Sequence, residues 1–365
     1  GGSFMLNLQY FLGANSPGGF YSLYHELLPT EQAKAIYILK GGAGCGKSSL
    51  MRRVARHAEA VGLDTVSILC SGDPDSLDAL ILPQRGIAIV DGTAPHIVEP
   101  HYPGVVESYV DLGSCYDRAG LAPLRQEIIS STDRYKGRYP RVYRCLEAAG
   151  QLRRDNRELM LTSTLTDRMK KRAAGIIHRE VKKNGAQPGC VSQRFLSAVT
   201  HRGYVMLWDT VSAQAKRVYE LSDSYGCSHE LLSPILTAVA AAGWNVTACP
   251  DPMAPDRLAH LIVPGLSLAF VSTTPDQPWP QRPYRRLRLD AMADQELYRL
   301  NRPRIRFTRK VASALEEEAV SGLAQAKSDH DKLEALYNPH VNFEQVYAIA
   351  DHLAQEILDP PSQEA

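Results

Sequence analysis

The chain has 365 residues, 41 Lys and Arg against 40 Asp and Glu, and a formal net charge of +1. That balance argues against a molecule that binds polyanions over its whole surface, and 44% hydrophobic with 22% charged residues excludes a disordered or fibrous chain. The length suits two domains with sizeable cores, and no apolar run is long enough to cross a bilayer, so no membrane partner is expected.

Gly1, Gly2, Ser3 and Phe4 before Met5 read as a cloning remnant, and no signal peptide is recognised. The seven Cys are scattered without a C-x-x-C pair, which fits reduced thiols and a cytoplasmic location. A first glycine-rich loop spans residues 13–20 and is expected to meet either a ligand or another part of the chain. Residues 35–39 are apolar and β-branched, as in a buried strand.

Next come Gly41, Gly42, Ala43, Gly44, Cys45, Gly46, Lys47 and Ser48, a full match to the P-loop pattern G-x-x-x-x-G-K-[ST]. Glycines let backbone N–H groups close around phosphate oxygens where side chains would clash. Lys47 can reach the β- and γ-phosphates and the Ser48 hydroxyl can ligate Mg²⁺. Residues from Ser49 onward have helical spacing, so a strand, a glycine loop and a helix N-terminus combine into an anion site. Gly41 through Ser49 are therefore the expected nucleotide contacts.

Residues 65–70 read as a second strand, running into Asp73, Pro74, Asp75 and Asp78. Ligands sit at the carboxyl ends of strands in open α/β sheets. These carboxylates are thus candidates for orienting water, accepting a proton or binding Mg²⁺, with Asp73 first as the catalytic group. The competing reading is a turn at Asp73-Pro74. Residues 86–91 form an apolar strand ending in Asp91, the Walker B pattern that holds Mg²⁺ opposite Ser48. No glutamate follows Asp91. The three strands are expected side by side in a parallel sheet, in a kinase–GTPase-like order, with a short helix between the second and third. The absence of Asn-Lys-x-Asp favours ATP over GTP. His96 and Glu99 lie in the polar loop that follows and are expected to be structural or to orient water.

Helical stretches are expected within residues 121–183, notably 143–160 and 167–183. Residues 121–190 hold 16 Lys or Arg against 7 Asp or Glu, whereas residues 311–365 hold 2 against 11. The opposed segments either pack together or offer a surface to an anionic partner such as nucleic acid or a phosphorylated substrate. A breaker cluster at residues 184–189 marks the link between a first domain, residues 5–185, and a second, residues 190–365.

The second part repeats the first. Phe11-Leu12 matches Phe195-Leu196, the strand at 33–39 matches 215–221, Asp73-Pro74 matches Asp251-Pro252, and residues 87–93 match 268–274. Under this alignment Gly41 falls on Asp223, Gly46 on Ser228, Lys47 on His229, Ser48 on Glu230 and Asp91 on Ser272. An acidic side chain at Asp223 or Glu230 repels phosphate, so the second copy reads as a pseudo-NTPase. The alternative is divergent nucleotide binding through Tyr225, Gly226 and Cys227. Its helical part is expected over residues 305–358, interrupted near Asn338-Pro339.

Residues 11–15 with Gly19-Phe20, the P-loop, residues 70–78 and residues 90–96 together resemble a poorly characterised family of bacterial P-loop ATPases. That family occurs mainly in Gram-positive bacteria and carries two tandem NTPase-like repeats. The resemblance implies a cytoplasmic, ATP- and Mg²⁺-binding α/β protein of two P-loop NTPase-like three-layer parallel-sheet domains. The activity expected is that of an ATPase, with a small-molecule kinase or an ATP-dependent switch as the alternatives. Lys47 and Asp91 are expected to be catalytic with Asp73, and Ser48 with Asp91 to hold the metal. Arg282, Arg285 and Arg286 of the second half are candidates for an arginine reaching the transition state.

Overall fold

A computed structural model describes residues 4–359. Gly1, Gly2 and Ser3 of the expected remnant, and residues 360–365 of the expected second domain, lie outside the described residues. The first half contains β1 (Asn7–Tyr10), the hairpin β2 (Gly13–Ser16) and β3 (Gly19–Ser22), β4 (Ala35–Lys40), α1 (Lys47–Ala60), β5 (Thr65–Leu69), β6 (Leu77–Leu82), β7 (Ile87–Asp91) and β8 (Glu107–Asp111). Helices α2 (Arg118–Leu121), α3 (Arg125–Lys136), α4 (Tyr139–Met160) and α5 (Ser163–Glu180) follow.

Six of these strands form one sheet in the order β1-β5-β6-β7-β4-β8. β4 lies parallel between β7 and β8, and β1 is parallel to β5. β6 runs antiparallel to both β5 and β7. The sheet is therefore mixed, not parallel, and the short helix expected between the second and third strands is a strand instead. The cause is legible in Leu77–Leu82: all six side chains are buried, and an apolar run of that length is too short for a helix yet long enough for a strand with both faces covered.

The second half contains β9 (Val191–Gln193), the hairpin β10 (Ser197–Thr200) and β11 (Gly203–Met206), α6 (Trp208–Ser212), β12 (Arg217–Ser222), α7 (His229–Ala241), β13 (Val246–Asp251), β14 (Ala254–Val263), β15 (Leu268–Thr273) and β16 (Arg285–Arg288). Its sheet has the order β9-β13-β14-β15-β12-β16, with β14 the antiparallel strand. Position by position this is the first sheet again, and α7 starts at His229 as α1 starts at Lys47. The chain ends in α8 (Leu289–Met292), the 43-residue α9 (Gln295–Tyr337) and α10 (Phe343–Leu358). Among the described residues no helix is long and apolar enough to cross a membrane.

The halves meet through matching elements. The backbone N–H of Phe11 donates to the Phe195 carbonyl at 2.9 Å, and Phe195 N–H returns the bond to Phe11 at 2.9 Å. The first glycine-rich loop is the β2–β3 hairpin, and its Asn15 side chain donates to the Val199 carbonyl at 3.0 Å; it meets the other half.

Each half also lends the other a helix. α5 buries Leu165, Met169, Ala173 and Ile176 against α7 and the second sheet. In return, α10 buries Val346, Ala350, Leu353, Ala354 and Ile357 in the first core, beside Leu50 and Val54 of α1. At roughly 1.5–3 kcal/mol for each large side chain buried, neither core is complete without the borrowed helix. The two charge-biased segments pack together as well. Arg138, just before α4, meets Asp329 at 2.8 Å, and Arg153 grips Glu316 at 2.7 Å, tying the basic α4 region to α9.

Candidate functional site

β4 ends at Lys40 and α1 begins at Lys47, so residues 41–46 form the connecting loop. Gly44 and Gly46 turn it with φ of 67° and 87°, values that a side chain strains to adopt. Gly46 is the N-cap of α1 and offers no side chain, which leaves the first amides of the helix to an external acceptor. Among the described residues no carboxylate reaches the amides of residues 43–48. Lys47 Nζ curls back to the Gly41 carbonyl at 3.0 Å and to Thr93 Oγ1 at 3.2 Å. It also pairs with Asp91 Oδ2 at 3.4 Å, both side chains being largely buried.

Asp91 is the last residue of β7, one strand over from the loop. Its Oδ1 accepts from Thr93 N–H at 3.0 Å and from the Thr93 hydroxyl at 2.7 Å. Ser48 Oγ accepts from Leu77 N–H at 3.0 Å. Because β6 is antiparallel to β7, with Ala79 opposite Val90, Asp78 comes to lie beside Asp91. Asp78 and His96 are buried, and donor atoms of Asp78, Asp91 and His96 all lie within 4.8 Å of one another. Tyr24 donates to Asp78 Oδ2 at 3.1 Å and stacks on the His96 ring, with centroids 4.4 Å apart. Burial raises the Asp78 carboxyl above its ordinary value, and the nearby Asp91 charge adds to the shift.

The structure brings Lys47, Ser48, Asp91, Asp78, His96 and Thr93 together. Asp73 is engaged elsewhere: Oδ1 accepts from Asp75 N–H at 3.2 Å, Oδ2 from Ser76 Oγ at 3.0 Å, and Lys327 sits 3.5 Å away. That is the geometry of the turn reading. Glu99 is spent on Lys40 at 3.1 Å and on the Tyr109 hydroxyl. Arg285 and Arg286 are on β16, at the edge of the second sheet, and Arg286 is held by Glu220 at 2.8 Å. The second-half cations that reach the Asp73–Asp75 loop are Lys327 and Arg202 instead.

Thr93 had no role assigned from the sequence, and His96 was expected to be structural or to orient water. Of the carboxylates named after the second strand, Asp78 is the one inside an otherwise apolar, buried strand, a place where a carboxylate is rare without a task.

The far side of the glycine loop is covered by the α9–α10 joint. A Cβ on Gly44 would come within 2.8 Å of Asn338 Oδ1, and one on Gly46 within 3.1 Å of Val346 and 3.3 Å of Phe343. Tyr116 donates to the Ala43 carbonyl at 2.8 Å. Beside it a cleft of about 360 Å³ is lined by Tyr116, Asp117, His340, Val341, Asn342 and Gln345. A larger cavity of about 610 Å³, far more basic, lies where α5 meets the second half, between Arg168, Lys171, Arg172, Arg179 and Arg285.

The matching loop of the second half is filled from within. Asp223, in the position of Gly41, accepts Cys227 N–H at 3.0 Å and Ser228 N–H at 2.8 Å, with Tyr225 N–H at 3.3 Å. Glu230 pairs with Arg257 at 3.0 Å and His229 Nδ1 accepts Leu258 N–H at 2.9 Å. Ser272, opposite Asp91 in the alignment, donates to the Ala259 carbonyl at 2.6 Å. No protein-family model, curated protein or solved structure matches the chain, so its own geometry carries the functional reading.

Proposed function

We propose that the protein binds ATP with Mg²⁺ through residues 41–49 and hydrolyses it, as the resemblance to two-repeat P-loop ATPases implies. Lys47 and the loop amides neutralise the β- and γ-phosphates, and Ser48 with Asp91 holds the ion. One hydroxyl and one carboxylate suit a hard ion that keeps most of its waters, and when bound it offsets negative charge on the phosphates. The cleft beside Tyr116 is the place for the base. The second half is a pseudo-NTPase, and Asp73 serves its turn rather than the chemistry. An anionic partner of the excess Lys and Arg belongs at the basic cavity between α5 and the second half.

The observation that carries this reading is the contrast between two equivalent loops. One presents a lysine and open amides, and the other satisfies its amides with Asp223. The test is Mg²⁺-dependent ATP binding and phosphate release by wild type beside Lys47→Ala. Binding and release in wild type, both lost in the variant, support an ATPase. No binding by wild type overturns the proposal.

A second reading, an ATP-dependent switch, is favoured by the α9–α10 joint against Gly44 and Gly46. Ligand at the loop would press directly on a helix pair that spans both halves. Tight binding without release, or release only when a small acceptor is added, distinguishes the switch and the kinase from the ATPase.

A further inference from the structure

His96 is 7% exposed, yet neither ring nitrogen has a hydrogen-bond partner. Asp78 Oδ2 is 3.9 Å from Nδ1, beyond hydrogen-bond reach. Buried polar atoms are rarely left this way, because each unmet group carries its full desolvation cost. Asp78, also buried, accepts a hydrogen bond from Tyr24. Asp91 lies alongside, so two carboxylates share one pocket with Lys47 as the cation paired to Asp91. Hydrogen bonding is incomplete at one point, where the two unpartnered His96 nitrogens lie against the Asp78 and Asp91 carboxylates.

We propose that Asp78, Asp91 and His96 form a binding site for a first-row transition-metal dication of the Mn²⁺–Zn²⁺ class, filled without nucleotide. One imidazole and two carboxylates suit such an ion, whereas Mg²⁺ prefers an all-oxygen shell. Donors around one ion at about 2.0–2.2 Å lie roughly 3–4 Å apart, and the three ligand atoms here already lie within 4.8 Å of one another. The ligands are already oriented from behind. Tyr24 fixes Asp78 by its hydroxyl and His96 by stacking, and Thr93 fixes Asp91.

The second half lacks the set. Its register places Ala259 and Ser272 where Asp78 and Asp91 stand, so one ion per chain is expected. Asp91 is shared with the proposed Mg²⁺ ligands, but the inference needs no nucleotide.

The experiment is Mn²⁺ titration of the nucleotide-free, chelator-treated full chain, followed by electron paramagnetic resonance. One bound Mn²⁺ per chain is expected, with ¹⁴N coupling from the imidazole, displaced by equimolar Zn²⁺ and not by a tenfold excess of Mg²⁺. His96→Ala and Asp78→Asn should each weaken binding at least tenfold. Lys47→Ala, which removes a competing cation from Asp91, should bind Mn²⁺ no more weakly than wild type while losing ATP, so the two proposals fail separately. Absence of stoichiometric Mn²⁺, or bound Mn²⁺ without nitrogen coupling, overturns the assignment; the coupling is read on wild type and does not depend on any variant folding.

Discussion

The loops at residues 41–46 and 223–228 hold the same place in two sheets of the same order, each between a central strand and a helix. The first is built from glycines and ends in a lysine. The second begins with an aspartate that folds inward and accepts three of its own amide N–H groups. A strand–loop–helix turn concentrates unpaired amides whatever its sequence, so it must either receive an anion or contain one. The second loop contains its own anion, and the first leaves its amides open, as the proposed nucleotide site requires. Asp223 does more than repel phosphate: it occupies the amides a phosphate would use.

The sharpest way to break the comparison is to exchange its outcomes. Lys47→Ala should weaken ATP binding by about 3 kcal/mol, roughly two orders of magnitude, as loss of a partly buried charge contact does. His229→Ala should leave binding unchanged, and calorimetric titration of both variants checks the pair. Asp223→Ala should cost about 2–3 kcal/mol of stability, because its amides lose their acceptor. The variant's melting temperature should then rise with sulfate more than that of wild type; equal sulfate responses would contradict the internal-anion account.

The halves also differ in their response to acid. His260 of β14 sits at the register position of Ala79 in the first half. It is buried, Nδ1 accepts Ser272 N–H at 3.1 Å, and burial pushes its pKa down to about 3. A depressed histidine takes up its proton on unfolding, so stability falls as pH drops below the unfolded value near 6.5 and continues falling toward 3. Between pH 7 and pH 5 the loss is about 2 kcal/mol, to be seen in urea titrations and removed in His260→Gln. The smallest effect belongs to α10. Asp351, held down to about 2 by Arg53 and His57, contributes above the unfolded carboxylate range and loses that contribution as pH falls through 2. The groups are solvated, so Asp351→Asn should lower the melting temperature only slightly.

The glycine loop, the strand carrying Asp91 and the internal repeat were legible because each rests on local geometry: positive φ, a short apolar run, a fixed order of matches. The helices over residues 143–160 and 305–358 were legible from composition, although α9 begins ten residues earlier, at Gln295. Leu77–Leu82 was misread as a helix because a run buried on both faces has no period to read. Asp78 was among the carboxylates named after the second strand, but its place beside Asp91 follows only from an antiparallel β6. His96 follows Ala94 and Pro95 in a polar loop, and its burial comes from Tyr24 and Phe20, far away in the chain. The exchange of α5 and α10 was invisible for a similar reason, since an apolar helix face does not announce which core it enters.

That exchange has a consequence for how the chain comes into being. A ribosome delivers the first sheet and α1 long before residues 343–358, and domains ordinarily fold as they emerge. Here Leu50 and Val54 wait, with part of their core open, until the entire second half and α9 have been made. The first half is thus the earliest to start and among the last to be sealed. Chaperone dependence during synthesis, measured on stalled chains ending before and after α10, should drop at that final helix.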